Sequence, residues 1–154
     1  MNECRREAAF SLLELMIALG VAAIIAMFAI PAYRTHVAKA QRLDAASAVM
    51  RAVQFVETAR LAQTSASGDV ITLSAGLDRA PSSGAPVYRL SVLAESPTNG
   101  GYAIEAMPVV PGAMQDDACG TFVMEATGLR WNHAPGATAA LDAAQSAGCW
   151  AGKG

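Results

Sequence analysis

From Leu15 to Tyr33 the chain carries no charged side chain, and most positions are Leu, Ile, Val, Ala, Met or Phe. A helix of that length rises about 29 Å at ~1.5 Å per residue, close to the thickness of a bilayer's hydrocarbon core. After Pro31 the pattern changes from apolar on all sides to amphipathic. Leu43, Ala46, Met50, Val53 and Val56 recur at helical spacing, flanked by Val49 and Leu61, while Arg42, Asp44, Arg51, Glu57 and Arg60 fall on more polar faces. The pattern predicts one helix from about Ser11 to about Ala62. It should bend near Pro31, where a missing N–H and a ring clash disturb the hydrogen-bond ladder. The turn formers from Gln63 to Gly68 end it.

Beyond the helix the period shortens to two. Val87 to Leu93 and Tyr102 to Met107 alternate as strands do, with turn chemistry from Ser96 to Gly101 between them. A third strand is expected from Cys119 to Thr127, closed by Gly128, and Val70 to Leu73 reads as strand or loop. Strands following a long helix predict an α+β domain, with the helix packed on one face of a small antiparallel sheet. The tail from Trp131 to Gly154 is rich in Ala, Gly and Pro and shows little periodicity.

Composition changes this picture only in places. The chain has 154 residues, enough for one compact domain plus an appendage. Its 53% apolar and 16% charged content reflects the apolar run more than the remainder. A net charge of −2 with both signs scattered implies no strong polyanion partner. Cys4 precedes the apolar run, while Cys119 and Cys149 lie far beyond it, which fits an exported domain with one disulfide; the alternative is two unpaired thiols. A bridge closing about 30 residues stabilises by roughly 3–4 kcal/mol in the chain-entropy account, and a tail this poor in strand formers needs such a tie.

Three readings compete for the N-terminus. A secretory signal peptide has a shorter apolar core followed by a small-residue cleavage site, and neither is present. A signal anchor explains the length, with Arg5 and Arg6 kept cytoplasmic, but leaves Glu14 unexplained. A carboxylate at membrane depth is costly unless it is paired or close to the interface. Near the interface it would favour the helix N-terminal dipole. A cut before Phe10 would instead place a new α-amino group one turn away from it.

The stretch from Phe10 through Glu14 to Gly20, with Pro31, Tyr33 and then Ala38-Lys39-Ala40-Gln41, resembles the N-terminus of type IV pilins and pseudopilins. The resemblance covers roughly residues 5–60: an aromatic first mature residue, a glutamate at the fifth mature position, a long apolar run and a proline near its end. It implies that a prepilin peptidase cuts between Ala9 and Phe10 and methylates the new amine of Phe10. It also implies that Glu14 compensates the amine of a neighbouring subunit when helices stack in a filament core. The family usually carries Gly before the cut, where this chain has Ala9. Backbone between Gly20 and Pro31 is expected, by the same resemblance, to lose helicity on assembly. The arrangement Cys119-Gly-Thr-Phe, then Thr-Gly-Leu, then Cys149-Trp150 resembles the C-terminal disulfide loop of PilE/ComP-like minor pilins. That points away from the major type II secretion pseudopilin.

The expected organisation is a leader over 1–9, a transmembrane and filament-core half helix over 10–33, an amphipathic half over 34–62, and a β-sheet head with a C-terminal disulfide loop over 63–154. The expected partners are other pilin subunits, prepilin peptidase, the inner-membrane assembly machinery and, before assembly, membrane lipid. The expected location is the inner membrane with the head in the periplasm, then a pilus at the surface of a Gram-negative bacterium. No enzyme or cofactor is implied. Asp116-Asp117 reads as a solvated acidic turn, short of a catalytic pair or of the oxygen ligands calcium needs. His36 and His133 sit nowhere near zinc-ligand spacing, and no glycine-rich phosphate loop follows a strand. The leading function is structural: a type IV pilus subunit of the minor class, acting in pilus assembly. The alternatives are a DNA-uptake pilin gripping phosphate through Arg79, Arg89, Arg130, His133 and Lys153, and a type II secretion pseudopilin. Those cationic residues are scattered without aromatic interleaving, so solvated charge is their simpler account.

Overall fold

The computed structural model describes residues 11–62 and 71–153. Helix α1 runs unbroken over Leu12–Ala62, with Pro31 inside it. Its ladder begins where the Leu15 N–H donates to the Ser11 carbonyl at 3.1 Å. The chain divides into two compact units, Met1–His36 and Val37–Gly154, so α1 belongs to the first up to His36 and to the second from Val37.

The second unit holds the core. Strands β1 (Arg79–Ala80), β2 (Tyr88–Leu93), β3 (Ala103–Pro108), β4 (Thr121–Glu125) and β5 (Arg130–His133) form one antiparallel sheet in sequential order, and helix α2 (Ala143–Trp150) follows. The register pairs Leu90 with Ala106, Val92 with Ile104, Ala106 with Phe122 and Phe122 with Asn132. Because side chains alternate across a sheet, Tyr88, Leu90, Ile104, Ala106, Phe122 and Asn132 share one face. All six are buried. The five other than Asn132 form the core with the α1 residues Ala45, Ala46, Ala48, Val49, Ala52 and Val56. Tyr88, Phe122 and Trp150 meet edge-to-face, with centroids 5.9 and 5.4 Å apart.

The helix and its packing on one sheet face match the sequence reading, but the buried stripe is rotated. Leu43, Met50 and Leu61 are 49%, 39% and 82% exposed, while Ala45, Ala48 and Ala52 are at most 1% exposed. The reason is volume. The sheet supplies bulky Tyr88, Ile104 and Phe122, so close packing selects small residues on the helix. Arg42, expected on a polar face, is also buried, at 6% exposure.

Strands β2 and β4 lie inside the predicted segments, β3 runs one residue past its own to Pro108, and residues 71–74 form neither helix nor strand. The short edge strand β1, the strand β5 and helix α2 were not anticipated. In the tail, the Asp142 side chain caps α2 by accepting the Ala144 and Gln145 N–H groups, each at 2.9 Å. Cys119 and Cys149 form a disulfide with Cα atoms 5.6 Å apart. Beneath it, buried Asn132 donates to the Cys119 carbonyl at 3.0 Å and accepts from the Ser146 hydroxyl at 2.9 Å. The bridge therefore ties α2 to β4 and β5 through a satisfied polar network.

Candidate functional site

Within the first unit, residues 11–36 are exposed throughout, apart from half-buried Ala26. Leu12 is 80% and Phe28 71% exposed. This part of α1 is long and apolar enough to cross a membrane. Glu14 is the acidic residue of the first turn, where a negative charge complements the helix dipole. Pro31 cannot donate to the ladder, and the Thr35 hydroxyl donates to the Pro31 carbonyl at 3.0 Å. Ala9 and Phe10 lie outside the described residues.

In the second unit the structure sorts the candidate phosphate-binding residues by face. Arg79 and Arg89 are direct partners across β1 and β2. By strand alternation they share the outer sheet face with Trp131 and His133. Asp78 takes Arg79 at 3.0 Å. The hydrogen bond from Arg79, and then the Gly76 N–H, hold the Asp78 carboxyl down at about 2. Arg130 falls on the opposite face, its guanidinium 5.6 Å from the Trp150 ring centroid, and Lys153 follows α2. His133 lies 5.9 Å from Trp131 by ring centroids. Aromatic rings accompany two of the five candidates, Trp131 beside His133 and Trp150 beside Arg130, and the return of α2 supplies the second.

The acidic turn also differs from expectation. Asp116 is exposed, but Asp117 pairs with Arg42, with both side chains 8% exposed. The Arg42 Nε donates to both carboxylate oxygens at 3.0 and 3.2 Å, and its Nη2 donates at 2.6 Å. Asp117 also accepts the Cys119 N–H at 3.0 Å. Sequence reasoning missed this contact because its partners lie 75 residues apart. A second fastening joins α1 to the loop before β3. The Tyr102 hydroxyl donates to Glu57 at 2.6 Å, and Arg60 lies 5.3 Å from the Tyr102 ring centroid. Burial, then that hydrogen bond, push the Tyr102 phenol well above its ordinary value.

Two family matches divide most of the chain between them. Residues 4–30 match the prokaryotic N-terminal methylation motif. Residues 31–123 match the family described as type IV minor pilin ComP, DNA uptake sequence receptor. A search of curated proteins finds no match. The exposed apolar helix, the helix-backed antiparallel sheet and these two matches agree: the chain belongs to the type IV minor pilin ComP family and is a type IV pilus minor pilin.

Proposed function

We propose that this minor pilin is primarily a structural and assembly subunit, with no catalytic role of its own. Prepilin peptidase removes residues 1–9, cutting between Ala9 and Phe10, and the Phe10 amine is methylated. Residues 10–33 hold the subunit in the inner membrane and then enter the filament core; residues 34–62 carry the head, 63–154, from the periplasm to the surface of a Gram-negative cell. Glu14 pairs with the Phe10 amine of a neighbouring subunit, and the inner-membrane machinery adds the subunit to other pilins. The observation carrying this reading is the exposed stretch of residues 11–36, free of charge from Leu15 to Tyr33, which the matched methylation motif overlaps. Mass spectrometry of the mature N-terminus tests it: an N-methylated Phe10 is expected. An intact Met1, or an unmethylated cut elsewhere, would overturn the processing reading.

The matched family's description favours a second reading, recognition of DNA by the head. Charge weighs against simple phosphate binding. Residues 63–154 carry eight carboxylates against four cationic side chains, Arg79, Arg89, Arg130 and Lys153, a net charge of −4. Phosphate contacts dominate DNA affinity and need cations free to replace counterions. Here Arg79 is held by Asp78 and Arg130 lies over Trp150. The outer-face pair Arg79 and Arg89 is the strongest remaining candidate. Duplex binding by the detergent-solubilised chain, titrated with salt, separates the readings. A steep salt dependence lost in Arg79→Ala/Arg89→Ala would establish DNA recognition, and flat, weak binding would leave the structural role alone. Secretion loss with intact pili on deletion would instead favour the pseudopilin alternative.

A further inference from the structure

The two flanks of the disulfide bear on one turn of α1. Before the bridge, Asp117 takes the Arg42 guanidinium and accepts the N–H of Cys119 itself. After it, Gly152 packs so closely on Leu43 that a Cβ there would come within 2.9 Å of the Leu43 side chain. Gly152 also has a φ of 69°, a backbone conformation that side chains disfavour. Arg42 and Leu43 are adjacent, so residue 117 and residue 152, remote in sequence, converge on a single helical turn. The other fastening of α1, through Glu57, Arg60 and Tyr102, lies several turns on and is not next to either cysteine.

The two fastenings differ in how well they hold themselves. Among the described residues, the buried side-chain polar atoms without a hydrogen-bond partner are Gln41 Oε1, the Tyr88 hydroxyl and Trp150 Nε1. Gln41 precedes Arg42 and Trp150 follows Cys149. Burial raises the Tyr88 phenol, with Asp117 adding to the rise and Arg42 opposing it, so this hydroxyl lies within their field. Unpartnered buried groups regain hydration when a seam opens. A desolvated ion pair holds a seam only while its geometry is kept. At the Tyr102 end, by contrast, the hydroxyl is paired with Glu57.

We propose that the Cys119–Cys149 bridge is a local redox clamp on α1 at Arg42–Leu43. Oxidised, it keeps the two gripping segments together, and the helix is fastened at both ends of its packed stretch. Reduced, the helix is released around Gln41–Ala46 and stays fastened at Glu57–Tyr102. The bridge thus sets the residue at which α1 leaves the head. Reduction by a dithiol breaks the Sγ–Sγ bond. Two electrons and two protons pass to the cysteines, and the reagent closes into its own disulfide.

Hydrogen exchange on the full-length protein in detergent, with and without dithiothreitol and again in Cys119→Ser/Cys149→Ser, tests the clamp. Thiol alkylation confirms that the bridge is open in the reduced sample. Peptides over residues 39–47, 114–123 and 143–153 should exchange roughly tenfold or more faster without the bridge, while those over 52–60 and 99–107 stay within about twofold. Reduction acts on the folded protein, so this arm does not depend on a variant refolding. Equal acceleration at both ends, or none at Gln41–Ala46 once the bridge is open, would overturn the proposal.

Discussion

Helix α1 is one element with two different neighbours. Up to His36 it exposes side chains on every side; from Val37 onward it buries a narrow stripe of small residues against bulky sheet residues. The first half is constrained by what it lacks, namely charge, and tolerates many apolar shapes. The second is constrained by shape, because interiors are close-packed and feel each methylene. Hydrophobicity alone therefore misleads in the second half, where Leu61 is exposed and Ala52 is fully buried.

The largest expected effect breaks the second half at its buried charge. Arg42→Met should cost about 3–5 kcal/mol in denaturant unfolding, because Asp117 is left buried and unpaired. Adding Asp117→Leu should recover most of that loss. In the first half, Ile25→Lys should cost about 2.5–3.5 kcal/mol of membrane insertion, read in a translocation assay, and leave the head's unfolding midpoint unchanged. Ala48→Leu should cost about 1–3 kcal/mol by overpacking, whereas Ala23→Leu should change head stability by less than ~0.5 kcal/mol.

Two smaller effects sharpen the picture through pH. Tyr88→Phe removes a buried hydroxyl without a hydrogen-bond partner, so stability at neutral pH should hold or rise by up to ~1 kcal/mol. The native phenol's raised value favours its neutral form. Its contribution is therefore complete below the unfolded value near ~10 and lost as pH rises above it. Melting scans should show less alkaline destabilisation in the variant. Asp78 works in the opposite direction. Its value is depressed to about 2, so its contribution is present above the unfolded value near ~4 and lost as pH falls towards 2. Asp78→Asn should flatten that small acid-side loss, since the pair is partly exposed.

Several features were readable because their signals are local. Asp142 followed three residues later by Gln145 is a helix-start pattern and could have revealed α2 in the tail. The alternation Leu129-Arg130-Trp131-Asn132 just after Gly128 could have revealed β5. Nothing local marked Asp117 as different from Asp116, because the distinction lies in Arg42, far away in the chain.

By itself the sequence determined the extent of α1, its uncharged first half, the central strands and the pilin resemblance. Each follows from periodicity, side-chain transfer energy or a short motif, all properties of neighbouring residues. Tertiary structure alone decided which stripe of α1 is buried, which aspartate is desolvated, where the five basic candidates fall, and that both flanks of the disulfide meet at Arg42 and Leu43. Those outcomes depend on matching volumes and charges between segments remote in sequence, and only the folded chain brings such segments together.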